Sequence, residues 1–231
     1  MPVCTYTLEG STALVQMDDG KANALSDAMI TELGEAFDRA EKEASAIVLT
    51  GRPDRFCAGF DLKIMMSGPD NATALLRRGA DLYMRMYATP LPLVIACTGH
   101  ALAGGALVVL TGDVRIGTSG AFRIGLNEVT IGLPVPILAM ELARDRVAQS
   151  ELTRATLQGT IYNPEEAVKA GWLDEVVAPG EVLTRAKAEA ARLGGLSRMA
   201  YSATKKRLRR KTIADITSTL DEDMRTLMSG T

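Results

Sequence analysis

Histidine is almost missing from this chain: 231 residues contain one, His100. The three cysteines, Cys4, Cys57 and Cys97, stand far apart and make no CxxC spacing, and there is no HExxH. A structural zinc site needs about four His or Cys ligands, so a zinc-dependent mechanism has almost nothing to build on, and no metal is expected. Imidazole acid–base chemistry has a single candidate. Unpaired cysteines, with no secretory apolar stretch after Met1, lead to the expectation of a reducing, cytoplasmic setting. No apolar run approaches about 18 residues, so no membrane span is expected. An excess of one charge is also lacking. Twenty-six basic against 28 acidic residues give a net charge of −2, which leaves no global basic field for a nucleic acid or an anionic membrane. Chemistry is left to carboxylates, hydroxyls, lysines and the backbone.

With 47% hydrophobic residues the chain is able to bury a sizeable core. At about 150 residues per domain its length corresponds to one domain with an appendage. Thr12 to Met17 reads as a strand ended by the Asp18-Asp19-Gly20 turn. Ser26 is a helix N-cap, with Met29, Leu33, Phe37 and Ala40 along one face. Ile47 to Thr50 is a buried strand. A second helix carries Leu75, Leu76, Leu82, Tyr83, Met86 and Tyr87 and must stop before Pro90. Leu93 to Cys97, apolar on both faces, fits a covered parallel sheet. The alternation argues for an α/β fold. Further on, Ala103 to Leu110 reads as a helix, and Val114 to Gly117 and Ala121 to Ile124 as short strands. Asn163-Pro164-Glu165-Glu166 opens a helix that Gly171 closes, and Trp172 to Val177 reads as a strand. From Pro179 the pattern is helical, with Ile213, Ile216, Leu220, Met224 and Leu227 forming a docking stripe.

Two glycine-containing loops follow buried strands: Arg55-Phe56-Cys57-Ala58-Gly59-Phe60-Asp61-Leu62-Lys63 and Thr98-Gly99-His100-Ala101-Leu102-Ala103-Gly104-Gly105. Glycine lets a ligand approach main-chain N–H groups, and the second loop runs into a helix whose N-terminus carries about half a positive charge. Side by side, such loops can hold an anionic oxygen. From spacing alone, tight strand-to-helix turns are the favoured reading of both. Nucleotide fingerprints fail: Gly99 and Gly104 have P-loop spacing, but Gly105-Ala106 stands where Lys-Ser/Thr is required, and neither loop is GxGxxG. A third element, Ile124-Gly125-Leu126-Asn127-Glu128-Val129-Thr130-Ile131-Gly132-Leu133-Pro134, sets one carboxylate in a glycine-flanked apolar stretch. Burial there would raise its pKa toward the range of a general base. A capping or surface glutamate fits the same pattern.

The segments FCAGFDLK, GHALAGGALVVLTGD and FRIGLNEVTIGLP, after the opening DDGKANALS, resemble in this order the crotonase superfamily, the enoyl-CoA hydratase/isomerase family, from about Ala13 to Val177. The resemblance implies a crotonase (ClpP-like) spiral of ββα units with a helical C-terminal segment. It divides the chain into residues 1–195, an acyl-CoA-binding core, and 196–231, a helical segment for oligomerisation or for covering the active site. It implies an acyl-CoA thioester as substrate, no cofactor beyond the coenzyme A that the substrate carries, and a homotrimer or hexamer. The backbone N–H groups that hold the thioester oxygen fall at Phe60 and Gly104. Lys21, Ala22, Ala58, Gly59, Phe60, Asp61, Leu62 and Gly104 fall at coenzyme A-binding positions.

Hydratases of the family carry two glutamates. One position matches Glu128; the other, three residues after the oxyanion glycine, is Leu107. The single-glutamate pattern resembles the 3,2-trans-enoyl-CoA isomerase branch, with Glu128 as proton shuttle. A hydratase and a catalytically weak acyl-CoA-binding paralogue are the alternatives. His100 reads as a satisfied histidine, and Cys57 and Cys97 as packing residues. The basic run Lys205 to Lys211 reads as a solvated helix face, or as a contact for coenzyme A phosphates.

Overall fold

Alternating side chains in Thr12–Met17 (β2) send Ala13, Val15 and Met17 into the core. In the computed structural model, which describes residues 2–229 and the side chains of 2–227, β2 pairs antiparallel with Cys4–Glu9 (β1) and parallel with Ala46–Thr50 (β3). Beyond β3 the sheet continues in parallel through Leu93–Cys97 (β5), Val114–Thr118 (β7) and Glu175–Val177 (β9), in the order β1-β2-β3-β5-β7-β9. Every residue of β3 and β5 is buried, because helices cover both faces. Ile47 and Leu49 face Asp27–Glu43 (α1) and Pro69–Ala88 (α3), whereas Ala46 and Val48 face Val182–Gly194 (α8). Full burial of one such Ile or Leu contributes about 1.5–3 kcal/mol.

A second, three-stranded parallel sheet lies beside the first: Asp54–Cys57 (β4), Gly99–Leu102 (β6) and Ile124–Gly125 (β8), in that order. Each turn of the chain therefore places one strand in the large sheet, one in the small sheet, and then a helix. The turns are β3-β4-α3, β5-β6 with Gly104–Thr111 (α4), and β7-β8 with Ile137–Arg146 (α5). Short helices Leu62–Met65 (α2) and Leu152–Ala155 (α6) sit in the connections. The long C-terminal helix Arg198–Ser229 (α9) packs on α3 and α5 and sends Ile216 and Met224 into the main core. The division at 195/196 falls in the turn between α8 and α9, and residues 1, 230 and 231 lie outside the described ones.

Local signals act as expected at several points. Ser26 accepts from the Met29 N–H at the start of α1. Asn163 forms a capping box with Glu166 at the start of Pro164–Ala170 (α7), which ends on left-handed Gly171.

Four expectations are corrected. The glycine loops contain strands, because Asp54–Cys57 and Gly99–Leu102 pair with each other. Strand 121–124 shrinks to Ile124–Gly125, since only those residues reach β6. Strand 172–177 begins at Glu175, because the Trp172 and Leu173 N–H groups still donate to Ala167 at the end of α7. The basic run is no uniformly solvated face: Lys205 and Arg209 are buried, four residues apart on the docked side of α9, and both hold Asp113.

Candidate active site

The segment after β4 turns sharply at Gly59, whose φ of +92° strains any side-chain-bearing residue. Three backbone hydrogen bonds strap it to the segment before α1: Ala58 N–H to Ala22 O (3.1 Å), Leu25 N–H to Gly59 O (2.8 Å) and Asp61 N–H to Leu25 O (3.2 Å). These bonds bring exposed Lys21 and half-buried Ala22 beside Ala58, Gly59, Phe60 and Asp61. Asp61 caps α2 through the Lys63 N–H, leaving Leu62 exposed. The strap is anchored by two residues that the sequence reading did not single out. Buried Asn23, at φ +54°, donates to the carbonyls of Met17, Arg55 and Phe56. The Asp19 carboxylate accepts from the N–H groups of Lys21, Asn23 and Ala24. The signal lay in Asp19-Gly20 followed by an Asn, residue types that favour turns and left-handed backbone.

From β6 the chain enters α4 through Ala103, which has φ +49° and ψ −125° without being glycine. Such a conformation costs on the order of 1–3 kcal/mol and persists only when its surroundings over-determine it. They do: the Ala103 N–H donates to Gly125 O (3.0 Å), and its carbonyl accepts from Ala106 and Leu107. A Cβ on Gly105 would lie 2.0 Å from the Cys57 carbonyl, so only glycine lets α4 start this close to β4. The two turns touch, since a Cβ on Gly59 would be 3.1 Å from the Gly104 nitrogen. Among the described residues, neither the Phe60 nor the Gly104 N–H has a hydrogen-bond acceptor.

The third piece follows β8. Glu128 leads into the 3₁₀ turn Val129–Ile131, and its carbonyl accepts from Ile131 (3.0 Å) and Leu133 (2.9 Å). Its Oε2 is buried without a hydrogen-bond partner among the described residues. Burial pushes the carboxyl above its usual range, against the opposing pull of the Glu128 and Asn127 N–H groups. Its charge also acts on the phenol of Tyr83, whose hydroxyl donates to the Gly104 carbonyl (3.0 Å). Phe60, Gly104 and Glu128 thus follow the carboxyl ends of three neighbouring parallel strands, the side on which open α/β sheets bind ligands. Leu107, one turn into α4, is buried in the main core.

His100 serves structure: its Nδ1 accepts from the Arg123 N–H (3.1 Å), and its ring meets Phe122 edge-on. Burial pushes the thiols of Cys57 and Cys97 up to about 12, so both remain neutral packing groups. No helix among the described residues is long and apolar enough to cross a membrane.

The model of the enoyl-CoA hydratase/isomerase family matches residues 7–230. Human mitochondrial enoyl-CoA delta isomerase 1 is 30% identical over 222 residues, covering 94% of this chain and 74% of that protein. A putative enoyl-CoA hydratase of Thermus thermophilus is 32% identical over 191 residues, covering 78% of this chain and 73% of its own. The solved structure of an enoyl-CoA hydratase/isomerase family protein from Pseudomonas syringae superposes with a TM-score of 0.95 at 36% identity, covering 97% of this chain and 98% of that one. Human mitochondrial delta3-delta2-enoyl-CoA isomerase superposes at 0.94 with 28% identity, covering 98% and 91%. The ββα spiral is the crotonase fold, and the chain belongs to the enoyl-CoA hydratase/isomerase family of crotonase-type enzymes, which act on acyl-CoA thioesters.

Proposed function

We propose that the protein is a 3,2-trans-enoyl-CoA isomerase of fatty acid metabolism. The reading rests on one observation: a single half-buried carboxylate, Glu128, follows the small sheet with its Oε2 sealed from solvent and unpartnered, while the position of a second carboxylate is occupied by core residue Leu107. Hydration requires a water to be deprotonated at C3 and a proton delivered to C2, work for paired carboxylates. Shifting a double bond needs one. Glu128 takes the proton from C2 of the 3-enoyl thioester, and the electron pair spreads over a dienolate. The same carboxyl returns the proton at C4, leaving the 2,3 double bond. Negative charge gathers on the thioester oxygen, and the free N–H groups of Phe60 and Gly104 receive it. Losing one donor of such a hole costs about 2.7–4 kcal/mol of transition-state stabilisation.

The coenzyme A portion lies along Lys21, Ala22, Ala58, Gly59, Asp61 and Leu62, which the backbone strap holds together. It enters as part of the substrate, and no further cofactor is used. The working form is a cytoplasmic homotrimer or hexamer, which light scattering on the purified protein checks.

The decisive experiment compares wild type with Glu128→Gln on 3-enoyl- and 2-enoyl-CoA. Loss of a general base lowers kcat for isomerisation by about 10²–10⁴-fold. Undiminished isomerisation by the variant rejects the role of Glu128. Water addition to 2-enoyl-CoA outpacing isomerisation in the wild type would establish a hydratase instead, and tight thioester binding without exchange of the C2 protons a binding paralogue.

A further inference from the structure

We infer that Tyr83 of α3 is a positioning residue for the oxyanion site, holding both N–H-bearing residues in register through one hydroxyl and one ring contact. The inference rests on the oxyanion reading of Phe60 and Gly104.

Tyr83 is buried, and no other side chain donates to the peptide groups of the Ala103-Gly104-Gly105 turn among the described residues. Its hydroxyl donates to the Gly104 carbonyl at 3.0 Å. The peptide on the other side of Gly104, which carries its N–H, begins at the strained residue Ala103. The Ala103 N–H is tied to β8, so Gly104 is held between that anchor and Tyr83. The contact is close enough that a Cβ on Gly104 would stand 2.5 Å from the Tyr83 oxygen.

The same phenol meets the Phe60 ring edge to face, with centroids 6.1 Å apart. That ring also lies close to two glycines. A Cβ on Gly79, one turn before Tyr83 on α3, would lie 2.3 Å from two Phe60 ring carbons, and one on Gly104 would lie 3.4 Å from a third. The half-buried Phe60 ring is thus bounded by α3 on one side and by the α4 turn on another. Two donors that follow different strands are thus referenced to one side chain of α3, which fixes their spacing before substrate arrives. Burial and the nearby charge of Glu128 hold the Tyr83 phenol far above its usual range, so it keeps its proton and stays a donor.

The test uses the full-length protein with two probes, a 3-enoyl-CoA for turnover and acetoacetyl-CoA, whose enolate absorbs in the near ultraviolet. In Tyr83→Phe, kcat and the bound enolate-to-keto ratio are expected to fall together by about tenfold, less than the 10²–10³ of deleting a donor outright. KM should stay within about twofold of wild type, since ground-state binding is untouched. A merely structural Tyr83 would shift the melting temperature and leave the enolate ratio alone, and that result overturns the inference. Gly104→Ala provides an arm independent of how Tyr83→Phe folds. Its methyl collides with the Tyr83 oxygen, so adding Tyr83→Phe to it should restore part of the enolate ratio. Strictly additive losses in the double variant count against Tyr83. A wild-type enzyme that turns over the enoyl thioester without shifting acetoacetyl-CoA toward its enolate overturns the oxyanion reading itself, and this inference with it.

Discussion

Glu128 carries a conflict between folding and chemistry. The residue is half-buried, its Oε2 is sealed from solvent without a partner, and burial pushes its pKa above the ordinary 4.5. Below pH 4.5 it is protonated in both folded and unfolded chains and burial of the charge costs nothing. As pH rises from there, the unfolded chain releases the proton first, so stability falls until the folded carboxyl ionises too. Glu128→Gln is therefore expected to melt higher than wild type near neutral pH, with the gain disappearing at about pH 4.5. Differential scanning fluorimetry across pH reads this directly, and a gain of equal size at both ends contradicts it. The sequence made Glu128 conspicuous, because glycines and apolar residues surround it. Tyr83 was legible only as one apolar position of a helical stripe. Its role depends on contacts with Phe60 and Gly104, 23 and 21 positions away, that no local spacing encodes.

Among the elements, α9 departs most from its sequence appearance. Six bases in seven residues look solvated, yet Lys205 Nζ donates to Asp113 (2.7 Å) and to the Leu91 carbonyl (3.0 Å). Arg209 reaches the other Asp113 oxygen (2.8 Å) and stacks 4.0 Å from the centre of the Tyr87 ring. Spacing of four marks one helix face, but only the fold supplies the carboxylate that lets that face go inside. Asp113→Ala leaves two buried cations without their carboxylate and should cost about 3–5 kcal/mol in urea titrations. Lys205→Met should cost little or even stabilise near neutral pH, because Arg209 still neutralises Asp113. Desolvation lowers the Lys205 ammonium from 10.5 to about 8, so wild type gains stability as pH rises from about 8 to 10.5. The advantage of the methionine should shrink over that interval. Strand β1 escaped notice for a related reason: it is an edge strand with mostly exposed or half-buried side chains, and its pairing with β2 makes it a strand. Helix α5 has no capping side chain, and its start at Ile137 is held by Asp223 of α9.

At the scale of the molecule, α9 shares its apolar core with the spiral, through Ile216 and Met224. The full chain should unfold in one transition, with near- and far-ultraviolet circular dichroism curves coinciding. A chain ending at residue 195 uncovers α3 and α5 and strips Asp113 of both cations, and its melting curve should lose cooperativity. A sharp transition in the shortened chain would make α9 an accessory to an independent unit.

The three-stranded sheet has one more consequence. Neighbouring strands lie about 4.8 Å apart, so the outer strands β4 and β8, across β6, are separated by roughly 9.6 Å. That interval acts as a ruler written in peptide hydrogen bonds. The sheet thereby sets how far apart the segments after β4, β6 and β8, which carry Phe60, Gly104 and Glu128, leave its edge.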